Sequence, residues 1–216
     1  ALIGKRIATP QLGNTQDIAL RRWLKTKNIP FDKGARSVTI MPLSNPDILG
    51  LFRRGQIEGA WVPEPWAARL IAEGGGQILV DERDLWEGRA FPTAVLVASE
   101  RALKEQRGEV LAILRAHVAL TERFGQDPAL FAKQTNEAFG KITGYPLSEP
   151  VLKDAFARLS LTFDPMERAL GEMARHAHEL GFAPTDNVQG LVDRKLLDEL
   201  VQAPRAEAPL PEDRGQ

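Results

Sequence analysis

The chain has no cysteine. That removes disulfides, thiol catalysis and thiolate-ligated metal, and it suits an oxidising compartment. It has no apolar run near the roughly 20 residues that cross a bilayer. It has no charge excess either: the formal net charge is -1, so there is no global basic field to draw nucleic acid or an acidic membrane. Nucleotide, zinc-protease and serine-hydrolase signatures (Walker, Gly-x-Gly-x-x-Gly, His-Glu-x-x-His, Gly-x-Ser-x-Gly) are all missing. The histidines make no pair. His117 falls on an apolar helical face, and His176 and His178 are two apart on a helix, facing different ways. With no nucleophile beside a base, neither an enzyme, a cofactor nor a metal centre is expected. No leader precedes Ala1, which points to a processed chain or a fragment.

What is present is a globular composition, 43% hydrophobic and 26% charged over 216 residues, enough for one large domain or two modest lobes. Residues 1–92 have α/β character. "KRIA" (Lys5 to Ala8) reads as a strand, and Ile18, Leu20, Trp23 and Leu24 mark a helix after it. "SVTIMPL" (Ser37 to Leu43) is a second strand. Asn45 then caps a short helix with Pro46 at its first position and Gly55 past its end. "IEGAWV" (Ile57 to Val62) is a third strand, Glu64 to Gly76 a helix ending in glycines, and "QILVD" (Gln77 to Asp81) a fourth strand. This alternation predicts a mostly parallel sheet covered by helices.

"TAVLVAS" (Thr93 to Ser99) adds one more strand, and the rest is helical. Helices are expected over Gly108 to Gly125, Ala129 to Phe139, Glu149 to Leu159, Pro165 to Leu180 and Val192 to Val201, separated by turn signals such as "GYPLSEP" and "GFAPTDN". The proline- and charge-rich end, 204–216, is expected to be disordered. The lone strand ahead of the helices suggests a sheet whose other strands lie elsewhere.

The turn "TPQLGNTQD", Thr9 to Asp17, leaves a strand and enters a helix. Two readings stand side by side. Gly13 allows close backbone approach, and Asn14, Thr15 and Gln16 add donors at a helix amino end, where unpaired N–H groups and the dipole favour an anion. Alternatively, Asn14 with Asp17 three residues on forms a capping box, and an Asp17 facing inward would repel an anion. "WVPEPW" places Glu64 and Trp66 at the carboxyl edge of the sheet, where open α/β sheets take ligands. There Glu64 either meets a ligand or caps the next helix, and Trp66 is either pocket wall or core. In "DLWEGRAFPT", Arg89 either meets an anionic group or pairs with Asp84 or Glu87, with Phe91 beside it.

Taken together, "GKRIATPQLGNTQDIALRRWL", "GQIEGAWVPEPWAARLI" and "FPTAVLVAS", in this order and spacing, resemble the substrate-binding proteins of ABC importers. The group is the aliphatic sulfonate, taurine and nitrate family, which shares its fold with the thiamine-precursor binders. The resemblance runs through most of the chain, including "LTFDPMERALGEMARHAHELGF". It implies a type II periplasmic-binding-protein fold. Residues 1–92 would be the second, α/β lobe, and 93–203 the return strand and carboxy-terminal helices of the first lobe. The helical half would then expose apolar surface. Its implied site comprises Gly13, Asn14, Thr15, Gln16, Glu64, Trp66, Arg89 and Phe91, with no catalytic residue, metal or cofactor, and Asp17 facing away from the cleft. The implied function is capture of a small anionic solute, an aliphatic sulfonate or nitrate, and its delivery to the transmembrane subunits of an ABC permease. The protein would be periplasmic or lipid-anchored, and monomeric at full length. The rival is an enzyme or pyrimidine-precursor binder on the same fold.

Overall fold

The computed structural model describes residues 2–202. Its sheet has three parallel strands, β1 (Arg6–Thr9), β2 (Thr39–Pro42) and β3 (Gly59–Ala60), in the order β2-β1-β3. The register sets Ile7 opposite Ile40 and Ala8 opposite Ala60. Successive side chains on β1 point to opposite faces, and each face has its own core. Ile7 packs with Leu20, Leu24, Val38 and Ile40, and Ala8 packs with Ile48, Leu49, Ile57 and Leu70. A central parallel strand covered on both sides is apolar throughout, which is why "IA" carries no polar alternation.

Helix α1 (Thr15–Thr26) covers the Ile7 face; α2 (Asn45–Arg53) and α3 (Trp66–Gly74) cover the Ala8 face. The cap of α2 differs from expectation. Ser44 holds the N-cap, its hydroxyl accepting from the Asp47 N–H at 3.4 Å, and Asn45 is already inside the helix. Ser44 has the extended backbone a cap requires, at φ -65° and ψ 149°.

Two expected strands do not form ladders. Residues 77–81 and 93–99 pair with no strand among the described residues, and Leu79 and Val97 are 75% and 79% exposed. β-branched composition gives the capacity to pair, but a ladder also needs a free neighbouring edge. Two short 3-10 turns, Glu82–Leu85 and Glu87–Arg89, fill the segment between them.

The remaining helices are α4 (Glu100–Glu105), α5 (Arg107–Gln126), α6 (Pro128–Thr143), α7 (Glu149–Arg158), α8 (Glu167–Glu179) and α9 (Lys195–Gln202). The expected helical stretches all form, with boundaries shifted by a few residues; α4 adds a further turn. The helical part meets the α/β part at two seams. Val151 and Ala155 of α7 pack on Ala68 of α3, and α8 lies against α1. Several apolar side chains of the helical part are exposed, as expected, Ile113, Leu130 and Ile142 among them. The expected disordered tail, 204–216, lies outside the described residues.

Candidate functional site

The site is built on the carboxyl end of β1. Gly13 has φ +72°, and a Cβ there would lie 2.9 Å from Cδ1 of Phe182. The turn therefore needs glycine both for its left-handed backbone and for the ring packed on it. Asn14 is the N-cap of α1, its side chain accepting from the Asp17 N–H at 2.9 Å.

The return half of the capping box is replaced. Asp17 is fully buried beneath the turn and accepts from the Thr9 hydroxyl at 2.9 Å, the Gly13 N–H at 2.9 Å and Arg21 Nε at 2.8 Å. Arg21 also reaches Asp32 at 2.9 Å. The carboxylate thus locks the turn from below and is matched by a cation, so its charge is compensated before any ligand arrives. The Gly13 N–H is used up in this lock. Thr15 and Gln16 occupy the first two helical positions, where N–H groups have no preceding turn to bond to. The Thr15 hydroxyl donates to Gln16 Oε1 at 2.8 Å, and Gln16 is buried.

A cavity of about 210 Å³ opens above this turn. Gly13, Thr15, Ile18 and Ala19 form one wall, Trp86 and Phe91 a second, and Met173, Ala174, His176 and Ala177 of α8 the third. Asp17 is not among the lining residues. The wall at Trp86 is fixed by Glu82, whose carboxylate accepts from both Trp86 Nε1, at 2.7 Å, and Trp61 Nε1. Burial pushes the Glu82 carboxyl up, against the pull of the two indole N–H groups. This bridge ties the 82–91 loop to the end of β3.

His176 is 7% exposed, and its Nε2 makes no hydrogen bond among the described residues. The nearest carboxylate oxygen, Glu172 Oε1, is 3.6 Å away, too far for a hydrogen bond. Burial first, then Arg22, holds the imidazole below its ordinary value; Glu172 and Glu179 oppose that shift.

Of the residues expected to bind, Gly13, Thr15 and Phe91 come together on this cavity. Asn14 and Gln16 are spent on the turn itself. Glu64 and Trp66 lie elsewhere. Glu64 caps α3 through the Ala68 N–H at 3.1 Å and pairs with Arg158 of α7; its two oxygens are thereby committed to the seam between those helices. Trp66 packs on the Ala8 core and under the Arg69 guanidinium, 4.7 Å from the ring centroid. Arg89 pairs with Asp84 at the surface, the pairing open from sequence. Each of these three side chains has a partner within the protein: Arg158 for Glu64, the Arg69 guanidinium for Trp66 and Asp84 for Arg89.

Trp86 and His176 also line the cavity and were not expected there. The signal for His176 was the α8 stripe Ala169, Met173, His176, Ala177, a helical face at spacings of three and four that carries one imidazole. Among the described residues, no cluster of His, Asp and Glu could hold a metal ion.

A three-stranded parallel sheet with helices on both faces, and a cavity at its carboxyl edge, is an open α/β architecture. The fold is similar to that of the alkanesulfonate-binding protein SsuA from Xanthomonas axonopodis pv. citri bound to MOPS, with TM-score 0.59 and 20% identity over 86% of this chain and 61% of that one. The model of the NMT1-like family matches residues 3–136, and the chain belongs to that family. It is also 28% identical over 101 residues to the nitrate import ATP-binding protein NrtC of Synechocystis sp., a match covering 47% of this chain and 14% of that protein. The chain thus spans less than two thirds of the length of either relative.

Proposed function

We propose that this chain is the solute-binding part of an ABC importer, capturing a small anionic solute above the Gly13–Thr15 turn. The observation that carries the reading is the cavity itself. It lies at the carboxyl end of β1 and is lined by Thr15, the first residue of α1, in a chain of the NMT1-like family. A helix amino end holds an anion without a cationic side chain, and the only carboxylate within the turn is already paired with Arg21.

The relatives give the context. One carries alkanesulfonate binding in its name and the other nitrate import. An organic sulfonate is the favoured solute over nitrate, because the walls beyond the turn are largely apolar. The solute would be handed to permease subunits at the outer face of the cytoplasmic membrane by a monomeric, periplasmic or lipid-anchored receptor. Among the described residues, no helix is long and apolar enough to cross a membrane. Binding shifts the protein towards the state that contacts the solute best, and no chemical step is needed.

The test is a thermal-shift panel on the complete protein with alkanesulfonates, nitrate, bicarbonate and pyrimidines. A ligand at 100 times its Kd stabilises by about 2.7 kcal/mol, which raises the melting point by roughly 5–10 °C at this size. A flat response across the panel overturns the proposal.

A further inference from the structure

The cavity wall opposite the turn is made of rings. Trp86 and Phe91 have centroids 5.3 Å apart at 43°, and Trp86 and His176 lie 5.8 Å apart at 58°. The indole N–H of Trp86 is spent on Glu82. Among the described residues, no lysine or arginine lines the cavity: Arg21 is held by Asp17 and Asp32, and Arg89 by Asp84. A bare inorganic oxyanion would lose hydration against these walls with little in return. The size points the same way. A dry cavity of about 150 Å³ accommodates benzene, and this one, at about 210 Å³, has room for a single ring with a compact acidic group.

We propose that the site selects a small anion with a flat aromatic or heteroaromatic body, its ring against Trp86, Phe91 and His176 and its acidic group at the Gly13–Thr15 turn. This rests on the reading of the cavity as the solute pocket. Ring pairs contribute beyond their buried area, so an aromatic body gains over an alkyl one of the same head group.

The experiment is calorimetric titration of the complete protein with benzenesulfonate, hexane-1-sulfonate, methanesulfonate and nitrate. The expected result is benzenesulfonate tighter than hexane-1-sulfonate by about tenfold, with methanesulfonate and nitrate weaker than both. In Trp86→Leu the ratio of aryl to alkyl affinity collapses towards one, and Trp86→Phe restores it. If Trp86→Leu loses its fold by circular dichroism, Phe91→Leu makes the same comparison. Hexane-1-sulfonate binding as tightly as benzenesulfonate, or an unchanged ratio in the folded variant, overturns the aromatic selection and leaves the solute pocket standing. No binding by any probe overturns both.

Discussion

Replacing Asp17 by Asn should be among the most damaging conservative changes in the α/β part. The side chain is fully buried and is the acceptor for the Thr9 hydroxyl, the Gly13 N–H and Arg21 Nε. An amide of the same size keeps one oxygen and turns an NH2 towards the remaining donors. It also leaves Arg21, whose side chain is 11% exposed, with only Asp32 as a charge partner. Breaking a buried pair typically costs about 3–5 kcal/mol. Because Asp32 stays within 2.9 Å of Arg21, part of that is recovered, and about 2–4 kcal/mol is expected here. For a chain of this size each kcal/mol moves the melting point by roughly 2–4 °C, so the shift should fall near 4–16 °C. The assay is urea unfolding of parent, Asp17→Asn, Arg21→Gln and the double variant, with the m-value checked for constancy. A coupling energy above about 1 kcal/mol between the two positions is expected. Asp17→Asn within about 0.5 kcal/mol of the parent, with no coupling to Arg21, would refute the view that this carboxylate locks the turn.

Three further outcomes follow from the same geometry. Glu64→Gln should cost about 2–4 kcal/mol in urea, because its side chain is 7% exposed and joins α3 to α7 through Arg158, while solute affinity of the folded variant tracks the parent. Gly13→Ala should lose about 1–2 kcal/mol from the left-handed backbone alone, with more from the Phe182 ring; adding Phe182→Ala should recover only the second part. Stability should also depend on His176 between neutral and mildly acid pH. Its folded pKa lies below the ordinary value, so the unfolded chain takes the proton more readily. The contribution is therefore full above about pH 6.5 and is lost as pH falls through the folded value. Urea midpoints measured in that window should fall more steeply for the parent than for His176→Gln.

Much of the fold was legible because the signals were local. β1 and β2, their helices and the long helices α5–α8 follow from periodicity and caps. The misread strands at 77–81 and 93–99 show the limit: composition records the ability to pair, whereas pairing depends on an edge supplied from elsewhere in the fold. The site was half legible. The "QLGNTQD" turn announces itself by its glycine and its cap; Asn14 caps α1, Asp17 lies buried beneath the turn, and Thr15 lines the cavity. Glu64, Trp66 and Arg89 looked equally suited to a ligand, but each has a stronger partner close in space. Trp86 and His176 were hidden for the opposite reason. Their role comes from α8 docking on α1, a contact between segments about 150 residues apart in the chain that no short motif encodes.

The central claim is that the solute sits on the Gly13–Thr15 turn. Calorimetry of the parent and Thr15→Ala with the tightest ligand from the thermal-shift panel tests it most directly. Thr15 lines the cavity and its hydroxyl donates to Gln16, so the variant should keep its fold and lose about 10–150-fold in affinity, the worth of one hydrogen bond to a charged group. Equal affinity in a folded Thr15→Ala variant would contradict the claim.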